Sequence, residues 1–584
     1  MVIREDAETR ELYLCFARSP SPLVERPKLI HISPVIDNKK DRVREYFADP
    51  GKLTLKSTTG TIEFCFEKPG ILRVRGTGAS LRLSFDDIEI YENAAPREDG
   101  SLEAAFSIIG KLLFVPLAGS MRHDAFWMHA AARTKEFTID FSPSVETGTF
   151  EAAIHEYYSN GVRASSYLPF DKAASLRKSE FSEYLAKSAP KNTQNPLLEA
   201  SVFALHCLRM PAGGALKAPA AYSSKSELAC AVSWQQAIAA LALSENEDES
   251  CELLMNMFAH QDKLGQLPFA VGCTVDDWLS AGAPMHGFAA CSLIKDGFTF
   301  SDEEAENLLH ALKKQAGWIL KARCKEGSLL PMYFHPRESG WMDSTAFIKG
   351  LPLESADFSS WLALSCEACS LLAGKLGKKD DGLKYAELSK SIVSSMIDGL
   401  WRNDAFICRN AKTGAEFKTG SVLRFLPVML GSRLPGFIME ALAKELGDEG
   451  SYLTPGGVAS EKLGSKEFSL SGSGVRGGVN PAVQLILVTG LLDAGFKPLA
   501  LDIAQRVAKL SQSQGLGDSL PPFSNDPWTG RTLRAQDAYK ENELELREDL
   551  LRKEKKEPKT AIPWTCSGAA GILGLLRVLA KHGL

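Results

Sequence analysis

The stretch Asn480–Gln514, NPAVQLILVTGLLDAGFKPLALDIAQRVAKLSQSQ, decides the fold. Its first half is apolar almost throughout, and its second half places Leu499, Ile503, Val507 and Leu510 at three- and four-residue spacing. The pair reads as a buried helix and an amphipathic one joined by a Gly-containing turn. Working outward, the same period recurs in Thr565–Leu584 toward the C-terminus. Toward the N-terminus it recurs in Leu434–Leu446, Asp380–Trp401, Ser359–Leu376, Asp302–Ala322, Ser250–Gln261, Ala231–Ser244 and Pro196–Met210. That is about ten to twelve helices, mostly in pairs. Helical hairpins closed into a ring would bury one face of each helix and leave long loops at the ends for chemistry.

Before residue 160 the period changes to two. Lys52–Ser57, Gly60–Glu67, Ile71–Gly76, Ser80–Asp87, Lys135–Pro143 and Gly148–Tyr158 alternate apolar and polar residues between Gly, Pro and Asp turns. Short strands at this spacing predict an antiparallel β-sandwich. The expected architecture is multidomain: a sandwich over 1–170, a helical linker over 171–194 and an all-α (α/α)6 toroid over 195–584.

Composition narrows the function. Of 584 residues, 45% are hydrophobic and 24% charged, and 67 basic against 72 acidic side chains leave a net charge of −5. A nucleic-acid backbone binder would carry a basic surplus, so no nucleic-acid partner is expected. The opening MVIREDAETRELYLCF lacks the apolar core of a signal peptide, and no run of about 18 apolar residues follows. No membrane partner is expected, the cytoplasm is the default compartment, and a homo-oligomer stays open. The 12 scattered cysteines fit reduced, buried thiols better than disulfides, and Cys366 and Cys369 read as two small hydrophobes on one helix face. No histidine pair has metal-ligand spacing and no glycine cluster has a nucleotide-loop context, so no metal and no cofactor are expected.

The loops between the helices resemble those of the six-hairpin (α/α)6-barrel glycosidases. That group includes mannosyl-oligosaccharide glucosidases, trehalases, alkaline/neutral invertases and glycogen-debranching glucosidases. The resemblance covers about residues 195–584 and rests on short segments met in order. VSWQQAIAALAL places Trp234 where such proteins carry an aromatic–Asp pair, with Gln235 in place of the Asp. DKLGQLPFAVG and APMHGFAACSLI follow, the second bringing His286 to a helix start. RESGWMDSTAFIKGLPLES, Arg337–Ser355, aligns best in the register that matches both the WMDA-type motif and the invertase PLE. In that register the resemblance implies Asp343 as general acid, with Glu338 and Glu354 binding sugar hydroxyls or orienting neighbours.

A carboxyl suits that position chemically, because cleaving a glycosidic bond needs a proton on the leaving oxygen. Trp341 and Phe347 would desolvate it and offer a sugar platform. The plainer alternative is that Asp343 caps the helix near Asp357 or closes a turn after Gly340. TPGGVASE and SGSGVRGGVNPAVQ resemble two further loops, which implies Arg476 in the pocket. LPPFSNDPWTGR and AIPWTCSGAA imply Trp528 and Trp564 as pocket walls or as plugs of the barrel end.

The chain departs from the group where the second carboxylate is expected: Pro522 or Phe523 stands there. An inverting hydrolase needs a base about 6.5–9.5 Å from its acid, and Asp518 and Asp526 are the nearest acidic residues in sequence. The insert 531–560 carries Glu and Lys/Arg at helical spacing. It reads as a solvated helix beside the pocket loops, with Glu541 or Glu543 as further base candidates. The resemblance thus implies an exo-acting, inverting hydrolase of α-glucosides or related oligosaccharides. Two rivals stand beside it: a phosphorylase, in which phosphate replaces the activated water, and a non-catalytic sugar-binding protein.

Overall fold

The computed structural model describes residues 1–5, 9, 11–16, 29–85, 88–106, 110–157, 161–190, 195–225, 228–469, 476–523 and 564–584. Contacts divide them into two compact units. One holds Met1–Ala186 with Lys225–Cys230 and Gly272–Thr274, and the other holds the remainder.

The first unit contains two antiparallel sheets. In one, Ile30–Ile36 and Arg133–Ser142 flank the strand Ser80–Phe85. In the other, Gly110–Ala118, Thr149–Tyr157, Ile71–Thr77 and Thr61–Lys68 lie side by side. Leu81, Leu83, Ile139 and Phe141 of the first sheet meet Ile62, Phe64, Val74, Phe114 and Phe150 of the second in one apolar core. The period-two residues are those that turn inward, which is why the sequence shows them. Helix α1, Phe170–Ser188, packs on the second sheet: Phe170, Ala173 and Ala174 cluster with Cys65, and Asp171 pairs with Arg75 at 2.8 Å.

The second unit is a ring of helices. They are α2 (Pro196–Leu208), α3 (Ser233–Ala242), α4 (Glu247–Asn256), α5 (His286–Lys295), α6 (Asp302–Ala322), α7 (Ala356–Lys375), α8 (Lys379–Leu400), α9 (Gly436–Leu446), α10 (Pro481–Asp493), α11 (Lys497–Gln514) and α12 (Cys566–Lys581). A 3-10 helix, Val422–Arg433, precedes α9. The sequence reading passed over this element. Pro427 lies inside it and Gly431 interrupts it at φ 56°, so no continuous 3.6-residue pattern marks it.

Six elements pack side by side in a closed inner circle: α3, α5, α7, the 3-10 helix, α10 and α12, which returns to α3. They are buried on most sides; α7 hides Phe358–Cys366 entirely. Small residues allow the approach. A Cβ on Gly287 of α5 would run into the Ser365 backbone of α7, and one on Gly571 of α12 into Pro481 of α10. The outer helices are amphipathic. In α6 the Ser301–Glu304 capping box starts the helix, and Ala305, Leu308, Leu312, Ala316 and Ile319 form its buried stripe.

Connections alternate in length. Each inner helix except the last, α12, passes by a short turn to its outer partner, as at 243–246, 296–301 and 376–378. Each outer helix returns by a long one, as at 257–285, 323–355 and 447–480. Short connections make neighbours antiparallel, so all inner helices run the same way and all long loops gather at their N-terminal ends.

Candidate active site

The N-terminal ends of the inner helices therefore form one face, carrying the positive ends of their dipoles and the loops picked out in the sequence. The loop 323–355 is the most built of these. Met332–Tyr333 pairs with Leu353–Glu354, which pairs with Cys408–Asn410, so a small sheet anchors both its ends. Glu338 is buried and accepts from Arg323 (2.7 Å) and from the Phe334 N–H (2.8 Å). Glu354 is buried and accepts from Arg409 Nε at 2.5 Å.

Gly340, at φ 84°, turns the chain so that Trp341 goes inward. Trp341 is buried, with its ring 5.3 Å from that of Trp234. Asp343, two residues on, faces outward and is exposed, and its carboxylate takes no hydrogen bond from a described residue. The expected desolvation by Trp341 and Phe347 is thus not what the structure has: the tryptophan goes to the core and leaves the carboxyl in water. Nor does Asp343 cap a helix. Ser344 caps the short 3-10 helix Thr345–Phe347, and α7 begins only at Ala356. The turn closes between Ser344 N–H and Trp341 C=O, at 3.1 Å. Arg476 reaches this loop, donating from Nε to the Asp343 carbonyl at 3.2 Å and pairing with Glu467 at 3.4 Å.

Among the buried polar atoms without a described partner are Ser233 Oγ and Gln235 Oε1 on α3, both ring nitrogens of His286 on α5, Ser359 Oγ and Trp361 Nε1 on α7, and Trp341 Nε1. Neighbouring Gln236, by contrast, is saturated by Ala221 and Asn256. Buried donors and acceptors of this kind are ordinarily satisfied by ordered water. His286 is wholly buried against Phe258, and burial pushes its pKa down to about 3, so its imidazole is neutral.

Trp564 is 39% exposed and stacks on Phe203 of α2, 6.0 Å between rings. Asp518 is half-buried, and its carbonyl accepts from Asn480 Nδ2 at 2.6 Å. Asp526, Trp528, Glu541, Glu543 and the insert 531–560 lie outside the described residues. Cys366 and Cys369 are free and buried in α7, and no group of metal-ligating side chains occurs among the described residues.

Two buried carboxyls escaped the sequence reading. Asp357, in the first turn of α7, is fully buried; it accepts from Tyr333 Oη at 2.7 Å and from Ser355 Oγ, and burial raises its pKa to about 6. Glu461 ends the quoted TPGGVASE segment and accepts from Thr345 Oγ1 at 2.7 Å, with Thr345 two residues from Asp343 in the chain. Neither has a flanking signal, because each sits among apolar and small residues that read as core.

A closed circle of inner helices with their long loops at one end is the architecture of an (α/α)6 barrel of helical hairpins. The particular model that residues 284–537 match is that of the mannosylglycerate hydrolase MGH1-like glycoside hydrolase domain. The fold is similar to that of a bacterial glucoamylase complexed with acarbose, at a TM-score of 0.61 and 11% identity, over 98% of this chain and 90% of that one. It is also similar to the GH63 mannosylglycerate hydrolase from Thermus thermophilus in complex with Tris and D-glycerate. There the TM-score is 0.51 and the identity 15%, over 66% of this chain and 100% of that one. At these identities the likeness is one of fold. A comparison with curated proteins returns no match. Residues 284–537 thus match a glycoside hydrolase domain, and no helix among the described residues is long and apolar enough to cross a membrane.

Proposed function

We propose that the protein is an exo-acting, inverting hydrolase of α-glucosides or related short glycosides, with Asp343 as the general acid. The observation that carries this reading is the position of Asp343. It is a free carboxyl on the loop above the inner-helix ends, beside Arg476 and next to the Trp234–Trp341 pair. There it meets the first requirement of the reaction, a proton donor for the leaving oxygen, and a sugar bound over it would supply the desolvation that the free loop lacks. Arg476 and Trp564 would complete the wall. Asp518 and Asp526 are the proposed bases. The free thiols of Cys291, Cys366, Cys369 and Cys566 support a cytoplasmic setting.

A second reading rests on Pro522 and Phe523, neither of which can activate water. With phosphate as nucleophile the acid alone suffices, and turnover would then require phosphate.

The test is Asp343→Asn assayed on α-linked disaccharides and mannosylglycerate, with and without phosphate. Loss of about 10²–10⁴-fold in kcat is expected for removal of a general acid, with the first-formed anomer inverted by NMR. Undiminished turnover in the variant would remove Asp343 from the mechanism.

A further inference from the structure

We propose that Glu461 is a positioning residue that fastens the Asp343 loop to the two loops beside it, and that its protonation sets how firmly the loop is held. This rests on the assignment of Asp343 as the acid. Three loops meet at this carboxylate. From 323–355, Thr345 Oγ1 donates to Glu461 Oε2 at 2.7 Å and lies 3.0 Å from Thr419 Oγ1. From 401–421, Ser421 Oγ bonds Ser344 Oγ at 2.6 Å, and the Gly420 carbonyl accepts from Lys462 N–H at 2.9 Å. From 447–480, Ser465 Oγ donates to Glu461 Oε1 at 3.4 Å, and Ser460 Oγ accepts from Gly477 N–H at 2.8 Å, next to Arg476.

The carboxyl is built in. Glu461 is 1% exposed, and a Cβ on Gly420 would run into its Oε1. The charged and titratable groups around it are Lys462 on its own loop, Glu467 and Arg476 beyond, Tyr452 and Arg424 beneath Gly420, and Asp343 at the loop head. No cation among the described residues is hydrogen-bonded to it, and burial raises its pKa, with Glu467 adding to the effect.

The sign follows. With the loop down Glu461 prefers its proton, and with the loop lifted it is solvated and ionises more readily. The hold is therefore complete below the ordinary carboxyl range and weakens as pH rises through the raised value. Glu461→Gln mimics the protonated form and keeps an acceptor for Thr345.

The test is hydrogen exchange of the amides of Ser344, Ala346, Phe347 and Ile348, all hydrogen-bonded within the loop. Exchange is measured between about pH 4 and 8, corrected for the intrinsic rate and normalised to α7. Expected are a several-fold loss of protection with rising pH in the wild type, a flat profile in Glu461→Gln, and a loop open at all pH in Glu461→Ala. The same flattening is expected in the kcat–pH profile for 4-nitrophenyl α-D-glucopyranoside, without a change in KM. A pH slope shared by wild type and Glu461→Gln, or a flat wild type, overturns the proposal. Should Asp343→Asn leave turnover intact while the exchange result holds, the acid assignment fails and the loop fastening stands.

Discussion

Asp357 offers the sharpest quantitative test of the barrel's interior. Its carboxyl is fully buried at the start of α7 and held by Tyr333 and Ser355, and burial raises its pKa from 3.8 to about 6. A raised acid folds preferentially with its proton on. The stabilisation is complete below about pH 3.8, is lost as pH rises through about 6, and is constant above. At about 1.4 kcal/mol per pKa unit, the cost of ionisation is about 3 kcal/mol. Asp357→Asn keeps an acceptor for the Tyr333 hydroxyl and cannot ionise. Its unfolding free energy, from guanidinium titrations followed by tryptophan fluorescence, should gain about 3 kcal/mol on the wild type between about pH 4 and 7. Differential potentiometric titration of the two folded proteins gives an independent reading, with one proton per chain absent near about pH 6 in the variant. A proton missing near about pH 4 instead, together with a flat stability difference, would refute the argument that burial outweighs the two hydroxyl donors.

Three further outcomes follow from Asp343, His286 and Gly340. Loss of turnover in Asp343→Asn, read with and without phosphate, separates hydrolysis from phosphorolysis as set out above. His286 has its pKa pushed down to about 3, below the unfolded value of about 6.5. Its contribution is whole above about pH 6.5 and lost as pH falls toward about 3, so His286→Leu should flatten the acid fall in unfolding free energy by about 3–5 kcal/mol over that range. Gly340→Ala places a Cβ at φ 84° and 3.2 Å from Trp234 Nε1. A loss of about 1–2 kcal/mol is expected from denaturant midpoints, whereas Gly317→Ala on the open face of α6 should gain up to about 1 kcal/mol.

Much of this architecture is legible in the chain itself. The alternation of Ile71–Thr77 and Ser80–Phe85, and the 3.6-residue stripe of Asp302–Ala322, are records of which side of an element is buried. That is a local property repeated along the chain. The order of the aromatic and glycine-rich loops carried the glycosidase resemblance for the same reason, since each loop is contiguous. Where local signals compete, the reading missed: Pro427 and Gly431 hide the 3-10 helix of the inner circle.

What only the tertiary structure decided is the state of each carboxyl. Asp343 and Asp357 are the same residue type fourteen positions apart in chain numbering, yet one stands in water and the other is sealed beneath Tyr333. Glu338 and Glu354 were read as sugar ligands or orienting groups, and the structure sets each against an arginine distant in sequence, Arg323 and Arg409. Glu461 looked like the end of a turn and is the point where three loops meet. A side chain's charge, partners and access depend on elements distant in sequence that close over it. Period and spacing carry no record of that closure.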